Sequence, residues 1–477
     1  MALLPLLIAV QQLVSPTLQS PRRDSIPLSL PAAVERAIRI GDESRSAAAQ
    51  VDIADAQVTI ARAAGLPQLR LNGSQSHVFE SARASAVGSI FNQPNTYTAN
   101  ATLSQTLFQG GRIVAGSRAA RDVRAAARLD QSETGAQVSL DVQRAYLQAL
   151  FARNLADIQD TALALASRRY SQVQQFLQAG RASRYDVLRA GVERSNLQPV
   201  AIQARSDVEL ALLELRRLIN MPFDQPLKLT STVDTASVLA WVAQLRADQA
   251  SIDRSAVRSA ELVARARRSA ITVARADLRP SISISGLMGA QAFPAGGFPT
   301  GRGRLVTVPC PAGSADGRVC TQQNGGWFGD KSFGIAVGLP IFDGFRSRGA
   351  ISLASAQSRL ADLQLAQTRE RVASEAARAR ADLDRAEALF TTRGQNAAEA
   401  AEAFKLAELR QSRGLATQLE VADAQLALTF ARTNEARAGY DLYLSAAGYA
   451  RALGRAPQPF DVPVLKYPAP TDRSRVQ

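Results

Sequence analysis

The sequence contains very few of the residues that build metal sites and many enzyme active sites. Its 477 residues include one histidine, His77, and two cysteines, Cys310 and Cys320. These numbers argue against a structural zinc site and against a Cys–His catalytic pair. The carboxylates form no recognisable acid–base pair, so there is no sign of a hydrolase site either. We therefore expect no catalytic residues, no metal and no cofactor.

Aromatic residues and long apolar runs are also scarce. Aromatics make up 5% of the chain, which is typical of long amphipathic helices rather than of a dense globular core. No apolar run approaches the roughly 18 residues of a membrane-spanning helix, so strands would have to do any membrane crossing. The apolar run from Ala2 to Val10 has the length of a signal-peptide core, although no basic residue precedes it. We predict a signal peptide over residues 1–20.

Lysine is rare, but the chain is basic. Its formal net charge is +14, from 56 basic and 42 acidic residues. Such a charge is compatible with nucleic acid or anionic surfaces. Arginine is, however, mostly interspersed with Asp and Glu, which indicates solvated helix faces. We therefore expect no nucleic-acid partner.

The two cysteines lie ten residues apart in a stretch that is rich in Gly and Pro. Two close cysteines in such a loop favour a Cys310–Cys320 disulfide and an oxidising compartment. The alternative is two unpaired thiols.

The chain is internally duplicated. Three segments return at a constant offset of 234 residues: Leu107–Arg112 as Ile341–Arg346, Gly180–Val187 as Gly414–Val421, and Ile219–Asn220 as Leu453–Gly454. A constant offset over about 110 residues indicates one structural unit repeated within the chain.

The same order of elements is predicted in each half. The first repeat covers 21–222, with a helix, a β-hairpin at 67–108 and a helical hairpin that turns near 180. A connector follows at 223–235. The second repeat covers 236–456, with a helix, a β-hairpin at 279–342 whose loop is 289–330, and a helical hairpin that turns near 414. An irregular tail follows at 457–477.

Each predicted hairpin has strands that suit a membrane. Apolar and polar residues alternate strictly from Leu69 to Asn72 and from Pro280 to Ser285, and the strands have the ten-residue length of transmembrane strands. Gly110, Gly111 and Gly344 follow the hairpins and are predicted to form strand-to-helix bends.

A rod follows each hairpin. Residues 112–178 contain no proline, so they can form one helix about 100 Å long. Four strands cannot close a barrel, and an open sheet edge is not tolerated in lipid. Oligomerisation is therefore required, and a barrel continued by helices is a conduit. Arg70, Asn72, Ser281 and Ser283 would face its lumen.

Several motifs, in this order and duplicated, carry a family resemblance: Leu28–Leu30, Leu66–Leu69, Leu103–Phe108 and Gly110–Arg112, with the counterpart that ends at Arg346. The chain resembles the outer membrane efflux protein family, the TolC-like channels, over essentially its whole length. The resemblance implies a mixed α+β membrane protein. Each chain would supply four strands to the twelve-stranded outer-membrane barrel of a homotrimer, which a periplasmic α-helical barrel continues.

The resemblance also implies a function. The protein would be the passive exit duct of a tripartite efflux or type I secretion system in a Gram-negative bacterium. Its partners would be a periplasmic adaptor, an inner-membrane pump of RND or ABC type, and outer-membrane lipid.

The resemblance places a gate at the periplasmic turns. The gate acids would be Asp186, Glu420 and Asp423, although a solvated helix face also accounts for Glu420 and Asp423. Gln411 and Ala416 depart from the family's latch pattern, which makes Arg184 a candidate substitute. An adaptor would dock at the tips formed by Gly180, Ser183, Gly414 and Thr417.

Two other functions remain open at this point. A soluble coiled-coil scaffold, including one that binds nucleic acid, would fit the helices and the charge, but not the alternating strands. A periplasmic enzyme would need a catalytic constellation that the sequence does not show.

Overall fold

The computed structural model describes residues 25–80, 94–231, 235–247, 254–294, 296–309 and 319–455. The predicted signal peptide, the predicted tail and Cys310 lie outside these residues, and so the disulfide stays a prediction. The helices are α1 Leu30–Ile40, α2 Asp42–Ala63, α3 Arg112–Gln178, α4 Arg184–Leu218, α5 Thr235–Ala247, α6 Ser255–Arg275, α7 Arg346–Ser412 and α8 Gln418–Ala452. The strands are β1 Ile26–Leu28, β2 Gln68–His77, β3 Asn95–Gln109, β4 Leu227–Leu229, β5 Ser281–Ala292, β6 Leu305–Pro309, β7 Val319–Gln323 and β8 Trp327–Gly338.

The duplication is visible in the element bounds. The rods α3 and α7 both have 67 residues, and the return helices α4 and α8 both have 35. Each pair is offset by 234 residues, whereas α2 and α6 start 213 apart, as do β2 and β5. The offset grows between β5 and β8, where the second half carries its longer loop.

Two sequence expectations need correction. The single helix expected at the start of each repeat is two helices, α1 and α2 on either side of Gly41 in the first repeat, and α5 and α6 in the second. The chain enters α6 through Arg254, whose backbone is extended at φ −96° and ψ 133°. The loop of the second hairpin is also shorter at both ends than the expected 289–330, because β5 continues to Ala292 and β8 begins at Trp327. Small residues such as Gly289 and Gly329 hide the alternation there without breaking the ladder.

The main core lies midway along the rods. Residues from both helical hairpins pack there with α1, α5 and the small parallel sheet β1–β4; the largest fully buried side chains are Tyr146, Tyr443, Leu30, Leu147, Leu215, Ile219, Leu383 and Leu442. The Tyr146 hydroxyl donates to the Leu28 carbonyl at 2.8 Å and accepts from the Ser231 amide at 3.0 Å. The two repeats therefore share one core.

The membrane-length strands form one antiparallel sheet in the order β2-β3-β5-β8. Within the described residues, β2 and β8 each pair with one strand only. A Cβ on Gly289 would lie 2.6 Å from the Asn100 Cβ, so glycine is needed at this position, where β5 pairs with β3. The sheet thus has two open edges.

One face of this sheet is apolar and the other is polar. Directly opposed residues share a face in an antiparallel ladder. The register therefore places Leu69, Leu71, Leu103, Met288, Ile284, Phe333, Ile335 and Val337 on one face. Leu71 is 80% exposed and Phe333 is 74% exposed. The chain alone therefore leaves a broad apolar face uncovered.

Candidate functional site

The polar face of the sheet carries the residues expected to line a lumen. Arg70, Asn72, Ser281 and Ser283 all lie on this face by the observed register. The Asn72 amide donates to the Asn100 Oδ1 at 3.2 Å, and the hydroxyls of Ser74 and Thr98 are 2.6 Å apart. A hydrogen-bonded polar face opposite an apolar one suits a water-filled pore in a membrane.

The strand-to-helix bends adopt left-handed backbone conformations. The φ angles are +57° at Gly110, +88° at Gly111 and +64° at Gly344. A Cβ on Gly110 would also lie 2.7 Å from the Ala276 carbonyl oxygen, so the first bend sits tightly against the second repeat. In the second half Phe345 occupies the position of Gly111, at φ +65°.

Each helical hairpin turns on a glycine with positive φ. Gly180 has φ +71° and Gly414 has φ +76°. The next amides donate back across the turn, Arg181 to the Phe176 carbonyl at 2.7 Å and Leu415 to the Arg410 carbonyl at 2.8 Å. A Cβ on either glycine would have no atom within 4 Å beyond the glycine and its immediate neighbours in the chain. Both tips are tight, matching turns with an open surface.

Both return helices begin with a capping box. Ser183 caps α4 and exchanges hydrogen bonds with Asp186, and Thr417 caps α8 and exchanges them with Glu420. The Ser183 hydroxyl and amide donate to the Asp186 Oδ2 at 2.7 and 2.9 Å. These bonds lower the pKa of Asp186. Two of the three expected gate acids, Asp186 and Glu420, therefore also cap the N-termini of helices.

The remaining expected gate residues are arranged differently. Asp423 is exposed on α8, one turn beyond Glu420. Arg184 is exposed, and no ion pair to its guanidinium occurs within the described part of the chain. Arg410 instead lies 3.7 Å from the Glu420 carboxylate and donates to the Leu415 carbonyl at 3.4 Å. Within one chain, Arg410 thus joins the two helices of the second tip, and the latch role of Arg184 stays a prediction.

A cleft of about 240 Å³ lies between the two tips; its charged lining residues are Arg169, Arg181, Asp186, Arg189 and Glu193, and Thr417, Leu419 and Ala422 complete it from the second half. The Arg169 side chain is 13% exposed and lies 3.8 Å from Glu193. Burial lowers the pKa of Arg169, and the negative charge of Glu193 partly offsets this lowering. The structure therefore brings Asp186 and Thr417 into one cleft.

The first tip should be sensitive to acid. Because the pKa of Asp186 lies below its unfolded value, its stabilising effect is present above about pH 4 and is lost as pH falls through the folded-state pKa. The Asp186 and Val187 amides donate to the Ser183 hydroxyl and carbonyl. Their hydrogen exchange, corrected for intrinsic rates, should show protection at about pH 5 that is lost as the pH falls through the folded-state pKa of Asp186. Ser183→Ala should lack this protection already at pH 5. Identical pH profiles for the two proteins would contradict the capping role.

Sequence reasoning missed the capping boxes and Arg410. The capping signature is present, since Ser183 and Thr417 each precede an acid by three residues. Arg410 gives no such signal, because its bond to Glu420 depends on how the turn folds back.

The described residues contain no helix long and apolar enough to span a membrane. Among the same residues, no three His, Cys, Asp or Glu side chains come together as metal ligands would. The distinctive features are an open sheet with one apolar face and one polar face, continued by two helical hairpins about 100 Å long. These features define a subunit of a membrane conduit with a long helical extension.

Comparison with known proteins identifies the family. The outer membrane efflux protein family matches residues 44–221 and 247–455. A search of curated proteins found no match. The chain belongs to the outer membrane efflux protein family. It is an outer-membrane efflux channel that extends into the periplasm. The members of this family are channels, not enzymes, and they work with a periplasmic adaptor and an inner-membrane pump.

Solved structures show the same fold. VceC of Vibrio cholerae is 19% identical, with a TM-score of 0.71 over 90% of this chain and 97% of that chain. The CmeC channel of Campylobacter jejuni is 17% identical, with a TM-score of 0.71 over 89% and 85%. The open-state MtrE channel of Neisseria gonorrhoeae is 21% identical, with a TM-score of 0.64 over 90% and 89%. These structures confirm the expected fold class, and the family match confirms the expected family, function and location.

Proposed function

We propose that three copies of this chain form a passive exit duct with a twelve-stranded barrel. The single observation that carries the proposal is the sheet order, which leaves β2 and β8 as open edges. These strands run in opposite directions, so β8 of one copy can pair antiparallel with β2 of the next. An open edge in lipid would cost several kcal/mol for each unpaired backbone group.

Exposed apolar residues on the helices support the same assembly. Leu353 and Leu360 lie seven residues apart on α7, and Leu419, Leu426 and Phe430 follow seven- and four-residue spacings on α8. All five are more than 40% exposed in one chain. Apolar residues at such spacings form stripes that bury against other helices. Neighbouring copies would cover them in a helical barrel.

The duct would be passive, with a pump of RND or ABC type supplying the energy. The adaptor would dock at the tips formed by Gly180, Ser183, Gly414 and Thr417. The open surface at both glycines and the cleft between the tips support this placement.

The tips would also form the gate. Glu420 and Asp423 lie near the start of α8, and three copies around one axis would make a ring of six carboxylates. Such a ring would attract cations to the entrance. Glu420 can both cap α8 and contribute to the gate. Capping requires its carboxylate oxygens as hydrogen-bond acceptors, and the ring requires its negative charge.

Neutralising this ring should change ion selectivity. Glu420→Gln with Asp423→Asn removes the charge, while a Gln at the Glu420 position can still complete the capping box. In planar-bilayer recordings of the purified protein, the cation-to-anion permeability ratio should fall roughly threefold or more. Glu399→Gln with Glu402→Gln is the matched control, since these acids lie three residues apart on α7, away from the turn. Recordings of the tip variant that match the parent would refute the gate assignment.

A further inference from the structure

The outer end of the sheet carries three cations on its apolar face. The loop after β5 returns to the edge of β8, where the Trp327 amide donates to the Gly301 carbonyl at 3.1 Å and the Gly303 amide donates to the Trp327 carbonyl at 2.8 Å. Arg302 is thereby bridged to Trp327. Bridged residues share a face, and Trp327 lies on the apolar face by the ladder.

The residues next to Arg302 confirm that Arg302 lies on the apolar side of the sheet. A Cβ on Gly303 would lie 2.6 Å from the Phe328 ring, and Phe328 is on the polar face. Gly303 therefore faces the lumen side, and Arg302 and Arg304 face the apolar side. Lys331 is on the same apolar face, opposite Met288 in the ladder.

These cations adjoin an aromatic cluster. The ring centroids of Tyr97 and Phe298 are 5.6 Å apart, and those of Phe298 and Trp327 are 6.4 Å apart. Eleven residues separate Tyr97 from Phe108 at the other end of β3, about 27 Å along the membrane normal for a strand tilted by about 40°. That distance matches the apolar band of a barrel, so the cluster lies at the outer interface.

Lys331 lies below this cluster. It is four residues from Trp327, about 10 Å along the normal, and its flexible stem can carry the ammonium group up toward the interface. Asp330, the adjacent carboxylate, is on the polar face. Within the described residues, no hydrogen bond or ion pair engages the charged groups of Arg302, Arg304 or Lys331. The three cations thus share one side of the sheet, and none of the described strand residues on that side is acidic.

We propose that Arg302, Arg304 and Lys331 bind the phosphate groups of a lipid in the outer leaflet. The proposal rests on the orientation that family membership gives, with the helices in the periplasm and the loops outside. A lipid is favoured over a soluble anion because the cations continue directly into an exposed apolar strip. Met288 and Phe333 on that strip are 63% and 74% exposed and would contact the acyl chains. Arginine pairs with phosphate through two parallel hydrogen bonds.

The test is equilibrium binding of bisphosphorylated lipid A to the purified full-length protein in detergent. The triple variant Arg302→Gln, Arg304→Gln, Lys331→Gln should bind at least tenfold more weakly than the parent. Arg304→Gln alone, which leaves strand residues intact, should lose roughly threefold. Arg70→Gln is the matched control, because it removes a cation from the other face of the same sheet, and it should bind as the parent does.

Two further ligands separate the possible sources of phosphate. Dephosphorylated lipid A should bind weakly, and equally to parent and triple variant. Inorganic phosphate at equal concentration should not displace lipid A; displacement would indicate a free-anion site and overturn the proposal. Equal lipid A binding by parent and triple variant would also overturn it. The proposed channel function is tested separately by the bilayer conductance of the triple variant, which should match that of the parent.

Discussion

Ile335→Pro should lower the yield of assembled trimer at least tenfold. The amide and the carbonyl of Trp327 both point away from β5 and bond to the loop. Along an antiparallel strand, the side to which a residue's amide and carbonyl point alternates from one residue to the next. The Ile335 amide therefore points to the open edge, because Ile335 lies eight residues further along the same uninterrupted ladder. Proline removes that donor, and the unpaired carbonyl of the next copy would cost several kcal/mol in lipid.

Ile335→Ala is the matched control for this prediction. It removes most of the side chain but keeps the amide, so it should assemble nearly as well as the parent. Gel filtration of protein extracted in mild detergent measures the trimer fraction. A proline variant that assembles as well as the alanine variant would show that this edge is not paired.

Arg254→Met should strongly destabilise the start of α6. The residue is 5% exposed, donates to the Glu133 carboxylate at 2.6 and 3.0 Å, and also pairs with Glu375. Burial tends to raise the pKa of Glu375, but the bond from Arg254 together with the charges of Arg254, Arg451 and Arg371 outweighs burial, and the pKa is lowered. Removing Arg254 would leave both carboxylates with weaker partners only, Arg451 at 3.3 Å from Glu133 and Arg371 at 4.0 Å from Glu375, and we expect a cost of about 3 kcal/mol.

Hydrogen exchange of the Val257 and Arg258 amides, which donate to the Arg254 carbonyl at 3.0 and 3.4 Å, measures this effect. A loss of about 3 kcal/mol corresponds to roughly a hundredfold faster exchange or more. Arg268→Met is the control, because Arg268 also joins α6 to α7, through Asp362 at 2.6 Å, but both side chains are over 40% exposed. An exposed pair contributes about 1 kcal/mol or less. Equal acceleration in both variants would refute the special role of Arg254.

Sequence patterns predicted most of the architecture because the fold repeats itself. The 234-residue offset gave the register of both helical hairpins, and the alternation from Leu69 gave the two faces of the sheet. The ends of β5 and β8 were harder to predict, since Gly289 and Gly329 carry no side chain that could show alternation. The start of α6 at Ser255 was also missed, because the buried ion pairs of the preceding Arg254 are made with carboxylates distant in sequence.

The tips show a different limit of sequence reasoning. Family resemblance gave Asp186 and Glu420 as gate acids, and local physics alone would have given them as helix caps. The bond between Arg410 and Glu420, and the pairing of Arg302 with Trp327, depend on how a turn and a loop fold back. Neither follows from spacing or periodicity.

The most direct test of the whole account is the native mass of the protein extracted from outer membranes in mild detergent. The chain has a mass of 50.9 kDa. The account predicts a particle containing three copies, about 150 kDa of protein, because only an oligomer can close the open sheet. A stable monomer in the soluble fraction, with β2 and β8 both unpaired, would contradict it.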